Sequence, residues 1–200
     1  EVRLMYDDIG SVGYVNLRFA RRMNQLGIRC QAFNPAMPFL NFFMNHRDHR
    51  KITVIDGKVA FTGGYNLANE YFGITEPFGK WKDTGLRLEG EAVQSLAATF
   101  LEIWSVSTRK TEDVSRYLNI CHSVTAPGYV QPFGDDPLTD ERCAENVLLN
   151  MLGRAERYIY FITPYLIITD EMNRALGLAA KRGVDVRIIT PGIPDKKTVY

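Results

Sequence analysis

The sequence predicts an α/β fold, a mixed and mostly parallel sheet flanked by helices, and three observations carry that prediction. Short apolar or alternating runs of strand length are interleaved with longer runs of helical periodicity, first near the N-terminus and again after residue 141. Strand, helix and strand in that order indicate a parallel unit. Third, "EVRLMYDDIG" at the start resembles "GVDVRIITPG" near the end, each an acidic residue, Val, Arg, apolar residues and a loop, as internal repetition would produce.

Taken in order, Glu1–Tyr6 alternates and runs into Asp7-Asp8-Ile9-Gly10-Ser11, a strand entering a loop. Val12 to Leu26 carries Val15, Phe19, Met23 and Leu26 at helical spacing, with Gly27 to close it. Ile28–Phe33 is the next strand. His49–Ile55 and Lys58–Thr62 are two strands joined by Asp56-Gly57, a strong signal for a tight hairpin. Thr84, Leu86 and Leu88 alternate as a strand. Ala92 to Trp104 is an amphipathic helix with Val93, Leu96, Ala97, Phe100 and Trp104 on one face. Prolines and glycines break 106–140, read as a connector holding a short strand. The α/β pattern then resumes: helix Glu141–Ala155, strand Tyr158–Thr163, helix Asp170–Arg182, strand Val184–Thr190.

This order divides the chain into a motif-bearing repeat over 1–108, incomplete at its N-terminus, a connector over 109–140, and the first half of a second repeat over 141–200. The opening residues read as the inside of a strand and lack Met, so a piece of a longer protein is expected. No stretch approaches the roughly 18 consecutive apolar residues of a membrane-spanning helix. The formal charge of +1 gives no global basic footprint for nucleic acid, so anion recognition must be local. Cys30, Cys121 and Cys143 are far apart and read as reduced, buried thiols.

Chemistry concentrates in "NHRDHRKITVIDGKVAFTGGYNLANEY". His49 and Lys51, two apart on a predicted strand, would leave the same face. An imidazole beside an ammonium suits attack on a phosphodiester: the ring is nucleophile or proton donor, and the cation offsets charge on phosphoryl oxygens. Asp56, of opposite parity and at the turn, reads as a turn-forming or scaffold residue. Gly63-Gly64 followed by Asn66 lets backbone and amide approach an anion closely. No metal-ligand cluster and no cofactor motif is visible, and none is expected.

The segment resembles the HKD motif of the phospholipase D superfamily, and the resemblance to cardiolipin synthases continues through "WKDTGLRLEGEAVQSLAATFLEIW", "FITPYLI" and "AAKRGVDVRIITPG". It implies a phospholipase D-like fold and a covalent phosphohistidine. His49 would be nucleophile or general acid, Asp56 the motif aspartate, and Lys51 and Asn66 the phosphate holders; Gly63, Gly64 and Arg47 are further substrate-binding candidates. Two features depart from the pattern: Asp48 stands where cardiolipin synthases commonly have Asn, and a complete site needs two motifs. His122 is followed by Ser123 and Val124 and supplies no second one; it and His46 read as structural.

Phe33, Met37, Phe39, Leu40, Phe42, Phe43 and Met44 precede the cluster His46, Arg47, His49, Arg50 and Lys51. Apolar groups beside cations suit an interface where acyl chains meet anionic headgroups. The expected partners are therefore an anionic phospholipid, phosphatidylglycerol, and a membrane surface, at the cytoplasmic face of a bacterial membrane. A homodimer pairing two copies of His49 would complete the site. A nuclease-like phosphodiesterase and a non-catalytic lipid-binding fragment are the alternatives; nucleic acid is not expected on the charge balance.

Overall fold

Parallel pairing opens the chain. The strand β1 (Val2–Asp7) lies beside β2 (Ile28–Phe33), in register from Val2 opposite Ile28 to Asp7 opposite Phe33. The computed structural model describes residues 1–16, 18–35, 47–77, 79–111, 113–118, 124–135 and 141–193. They form two compact units, Glu1–Tyr71 with Lys82–Pro132, and Phe72–Trp81 with Phe133–Tyr200.

In the first unit the predicted Val12–Leu26 helix is shorter. A 3-10 turn occupies Ile9–Ser11, and α1 covers only Phe19–Gln25. Gly13 takes a φ of +89°, and the Asn16 side-chain oxygen accepts from the Arg18 amide at 3.1 Å. Such local bonding competes with the helical ladder. Phe19 meets Tyr6 edge-on, centroids 5.5 Å apart, and Asn24 exchanges hydrogen bonds with the main chain of buried Cys30. Both contacts lay α1 against the β1–β2 pair.

A three-stranded antiparallel sheet follows, in the order β3 (Ile52–Ile55), β4 (Val59–Gly63), β5 (Gly85–Glu89). The Asp56-Gly57 turn is tight: φ is +51° and +65°, and the Lys58 amide donates to the Ile55 carbonyl at 3.0 Å. Two consecutive left-handed residues suit a tight hairpin, and three residues, 56–58, lie between the paired Ile55 and Val59. The long helix α2 (Ala92–Thr108) runs one turn beyond expectation and ends at Arg109 with φ +53°. Val93 and Leu96 pack on Ala60, with Ile52, Val54 and Leu88 around them. Farther along, buried Leu101 and Trp104 carry the face onward, and Phe100 stacks on Trp104. The guanidinium of Arg3 lies 5.3 Å from the Trp104 ring and 4.9 Å from that of Tyr117, which belongs to a short helix, α3 (Ser115–Leu118). The connector was expected to hold a strand; among its described residues there is this single helical turn instead.

The second unit contains α4 (Cys143–Arg154), β6 (Tyr158–Ile162), α5 (Asp170–Lys181) and β7 (Asp185–Ile189), with β6 and β7 parallel. Thr169 caps α5 by accepting from the Met172 amide. Leu152, Met172, Leu176, Ala179 and Val184 form its core. The α/β class is as predicted, with parallel pairs at either end of the chain and the antiparallel sheet between them. Among the described residues these are three separate small ladders. Among the described residues no helix is long and apolar enough to cross a membrane.

Candidate active site

The segment holding His49 is fastened to the carboxyl end of β1, where parallel α/β sheets commonly place ligands. Asp7, the last residue of β1, accepts from the amides of Gly10 at 2.8 Å and Asp48 at 3.2 Å, and from the Arg47 guanidinium at 3.5 Å. Arg47 also donates to the Asn34 carbonyl just beyond β2, at 2.9 Å. Asp48 is itself bracketed by Arg50, accepting from its amide at 3.0 Å and its guanidinium at 2.9 and 3.0 Å. The main chain at 47–50 is thereby held down while His49 remains exposed.

The strand predicted from His49 begins instead at Ile52, and the amides of residues 48 and 50 before it are bonded to the side chains of Asp7 and Asp48. Strand parity therefore does not place His49 and Lys51 together. A hydrogen bond links the lysine to the main chain of the histidine: Lys51 Nζ donates to the His49 carbonyl oxygen at 2.6 Å. Lys51 is half-buried, and burial pushes its ammonium below the ordinary lysine pKa. The carboxylates of Asp48, Asp83 and Asp7 pull the other way, and burial outweighs them.

Gly63 and Gly64 end β4, and their lack of side chains is a packing requirement. A Cβ on Gly63 would lie 2.5 Å from the Thr84 carbonyl oxygen and 2.8 Å from Gly85 Cα; one on Gly64 would lie 2.6 Å from a carboxylate oxygen of Asp83. The Gly64 amide donates to the Thr84 carbonyl at 3.3 Å. This close approach carries Asp83 to where its charge reaches Lys51. Asn66 lies just past the glycines, half-buried, its amide donating to the Tyr71 hydroxyl at 2.9 Å.

The structure thus gathers Arg47, Asp48, His49 and Lys51 at the end of β1 and links Lys51 electrostatically to the segment beside Gly64. Asp56 is elsewhere, exposed at the far end of the four-residue β3, on the order of 15 Å along the hairpin at about 3.3 Å per residue. Asp7 and Asp83 were not singled out from sequence. A carboxylate closing the first strand of a parallel pair was the available signal for Asp7; for Asp83 it was "WKDTG", beside a strand destined to pair with the Gly-Gly segment. Met37, Phe39, Leu40, Phe42, Phe43, Met44, His46, Cys121 and His122 lie outside the described residues. Among the described residues no three His, Cys, Asp or Glu side chains converge as metal ligands.

Comparison with known proteins gives this arrangement a context. A family model described as "Cardiolipin synthase, PLD-like domain" matches residues 148–200. An uncharacterized protein of Streptococcus mutans is 48% identical over 200 residues, all of this chain and 43% of that protein. The cardiolipin synthase of Alkalihalophilus pseudofirmus is 38% identical over 201 residues, covering all of this chain and 40% of the enzyme. The resemblance is to cardiolipin synthases of the phospholipase D superfamily. A further cardiolipin synthase, from Oceanobacillus iheyensis, is 36% identical over 202 residues, again all of this chain and 41% of the relative. The chain spans about two fifths of the length of the curated relatives it matches. Likeness to the cardiolipin synthases includes the segment around His49 and Lys51, whereas the family model matches only within the C-terminal part.

Proposed function

We propose that the chain is part of a cardiolipin synthase-like phosphatidyltransferase that joins two phosphatidylglycerol molecules, releasing glycerol, at the cytoplasmic face of a bacterial membrane. The observation that carries this reading is the pairing of an exposed His49 with a partly desolvated Lys51 bonded to its carbonyl oxygen. An ammonium with part of its hydration removed interacts more strongly with phosphoryl oxygens than one in bulk water. Similarity along the whole of this chain to about two fifths of named cardiolipin synthases supports the choice of reaction.

In this mechanism His49, or a second histidine from another motif or another copy of the chain, attacks phosphorus through a ring nitrogen. The phosphorus–oxygen bond to the glycerol headgroup breaks, and the other histidine gives its proton to the departing oxygen. That histidine then takes the proton of a hydroxyl on a second phosphatidylglycerol. The hydroxyl oxygen attacks phosphorus, the phosphorus–nitrogen bond breaks, and both rings return to their starting states. Lys51 and Asn66 hold the phosphoryl oxygens, with Asp7 and Asp83 as positioning residues. A single His-x-Lys motif supports half of such a site, so the 200 residues alone are expected to be inactive.

His49→Ala and Lys51→Ala, made in the longer protein of which we propose this chain is a part, test the reading by analysis of lipid products. Loss of cardiolipin formation by roughly a hundredfold or more is expected, with circular dichroism unchanged. Wild-type rates in either variant would overturn the assignment, and phosphatidic acid or cleaved nucleic acid as the product would overturn the reaction.

A further inference from the structure

The near-neutral total conceals a strong local imbalance. Residues 9–47 contain five arginines and no Asp or Glu, so the remainder of the chain, with nineteen basic and twenty-three acidic residues, carries the opposite sign. Two of the five are neutralised within the fold: Arg29 pairs with Glu1 at 2.8 Å, and Arg47 with Asp7. Arg18, Arg21 and Arg22 have no acidic partner among the described residues.

Their spacing is decisive. Arg18, Arg21, Arg22 and Gln25 fall at i, i+3, i+4 and i+7, one face of α1, and with Asn16 they line a concavity of about 500 Å³. Phe19 and Asn24, to either side of this face, are engaged with β1 and β2; the three arginines are exposed, with Arg22 lying over the edge of the face 5.8 Å from the Phe19 ring centroid. Large apolar side chains precede and follow them in sequence: Val12, Tyr14 and Leu26 are 69%, 77% and 70% exposed. A cationic face with an aromatic and two aliphatic groups to either side of it in sequence combines the two contributions that bind a protein to an anionic lipid surface.

We infer that the outward face of α1, with Val12, Tyr14 and Leu26 at its margins, docks the chain on an anionic phospholipid bilayer. This rests on the phosphatidyltransferase reading only for choosing a bilayer over other polyanions. The arginines meet headgroup phosphates, and the flanking side chains enter the interface. Docking through this face is separate from phosphate handling at His49 and Lys51.

Sedimentation of the 200-residue chain with vesicles tests it. At 100 mM NaCl the chain is expected to sediment with equimolar phosphatidylglycerol and phosphatidylcholine and to stay in solution with phosphatidylcholine alone. At about fivefold per arginine, Arg18→Gln/Arg21→Gln/Arg22→Gln should lower partitioning roughly a hundredfold, and Arg21→Gln alone about fivefold should the triple variant fold poorly. Arg142→Gln, in the other unit, should bind as wild type. Unchanged binding in the arginine variants, equal binding to neutral vesicles, or tighter arginine-dependent binding to a 20-nucleotide single strand would overturn the inference. Since binding is read without turnover, docking of the chain through these arginines together with no cardiolipin formed by the longer protein removes the catalytic reading alone. Absent docking with intact synthesis removes this face alone.

Discussion

Lys51 shows the tension between holding a charge for chemistry and keeping it hydrated. Its folded pKa lies below the unfolded value of 10.5, with desolvation the leading cause. Between the two values the unfolded chain binds more protons, so stability rises with pH there; the contribution is complete above 10.5 and lost as pH falls through the folded pKa. Lys51→Met is therefore expected to keep or raise the urea midpoint at pH 7 and to flatten the alkaline rise seen in wild type, while abolishing turnover in the longer protein. Urea titrations between pH 7 and 10.5 would measure this, and a large loss of stability at pH 7 would contradict it. His49 and Lys51 could be singled out as candidates because their spacing is local. Asp7 and Asp83 were not, since one closes β1 and the other precedes β5, and only tertiary approach brings their charges to Lys51.

The hairpin and its glycines are where sequence spoke most clearly and where substitution should discriminate best. Asp56-Gly57 foretold the turn because few residue pairs tolerate two successive positive φ values. The Gly63-Gly64 pair was read as room for an anion; the structure fills much of that room with the 83–85 segment. Gly63→Ala would press a methyl on main-chain atoms of Thr84 and Gly85, which cannot swing aside, and should cost about 2–3 kcal/mol. Gly64→Ala meets the Asp83 carboxylate, which can rotate, so a loss below about 1 kcal/mol is expected together with a displaced Asp83. Equal losses in denaturant titrations would show that the 83–85 main chain yields. The Val12–Leu26 helix was overcalled because its apolar spacing continues through Gly13 and Asn16, whose local conformations end the ladder before it starts.

At the scale of the whole chain, the α/β class was legible from the alternation of periods, but the separation into three ladders was not, because pairing partners are chosen over long sequence distances. Leu152 is fully buried among Met172, Leu176, Ala179 and Val184. Leu152→Ala should destabilise the second unit by about 2–5 kcal/mol, read as faster proteolysis within α4 and α5; unchanged cleavage there would show that this core relaxes around the void. Total charge was the least informative whole-chain quantity, since it averaged a basic stretch against an acidic remainder.

The tight turn between β3 and β4 also acts as a ruler for the end of the hairpin that carries Lys51. Its three residues, 56–58 between the paired Ile55 and Val59, fix Ile52 opposite Thr62, and so set how Lys51, the next residue back, enters its nest of carboxylates. Because side chains alternate across a strand, a single residue inserted after Asp56 would slide the pairing by one notch and rotate the ammonium toward the wrong side. Length at the distant loop is thus as much a part of the proposed site as the lysine it aims.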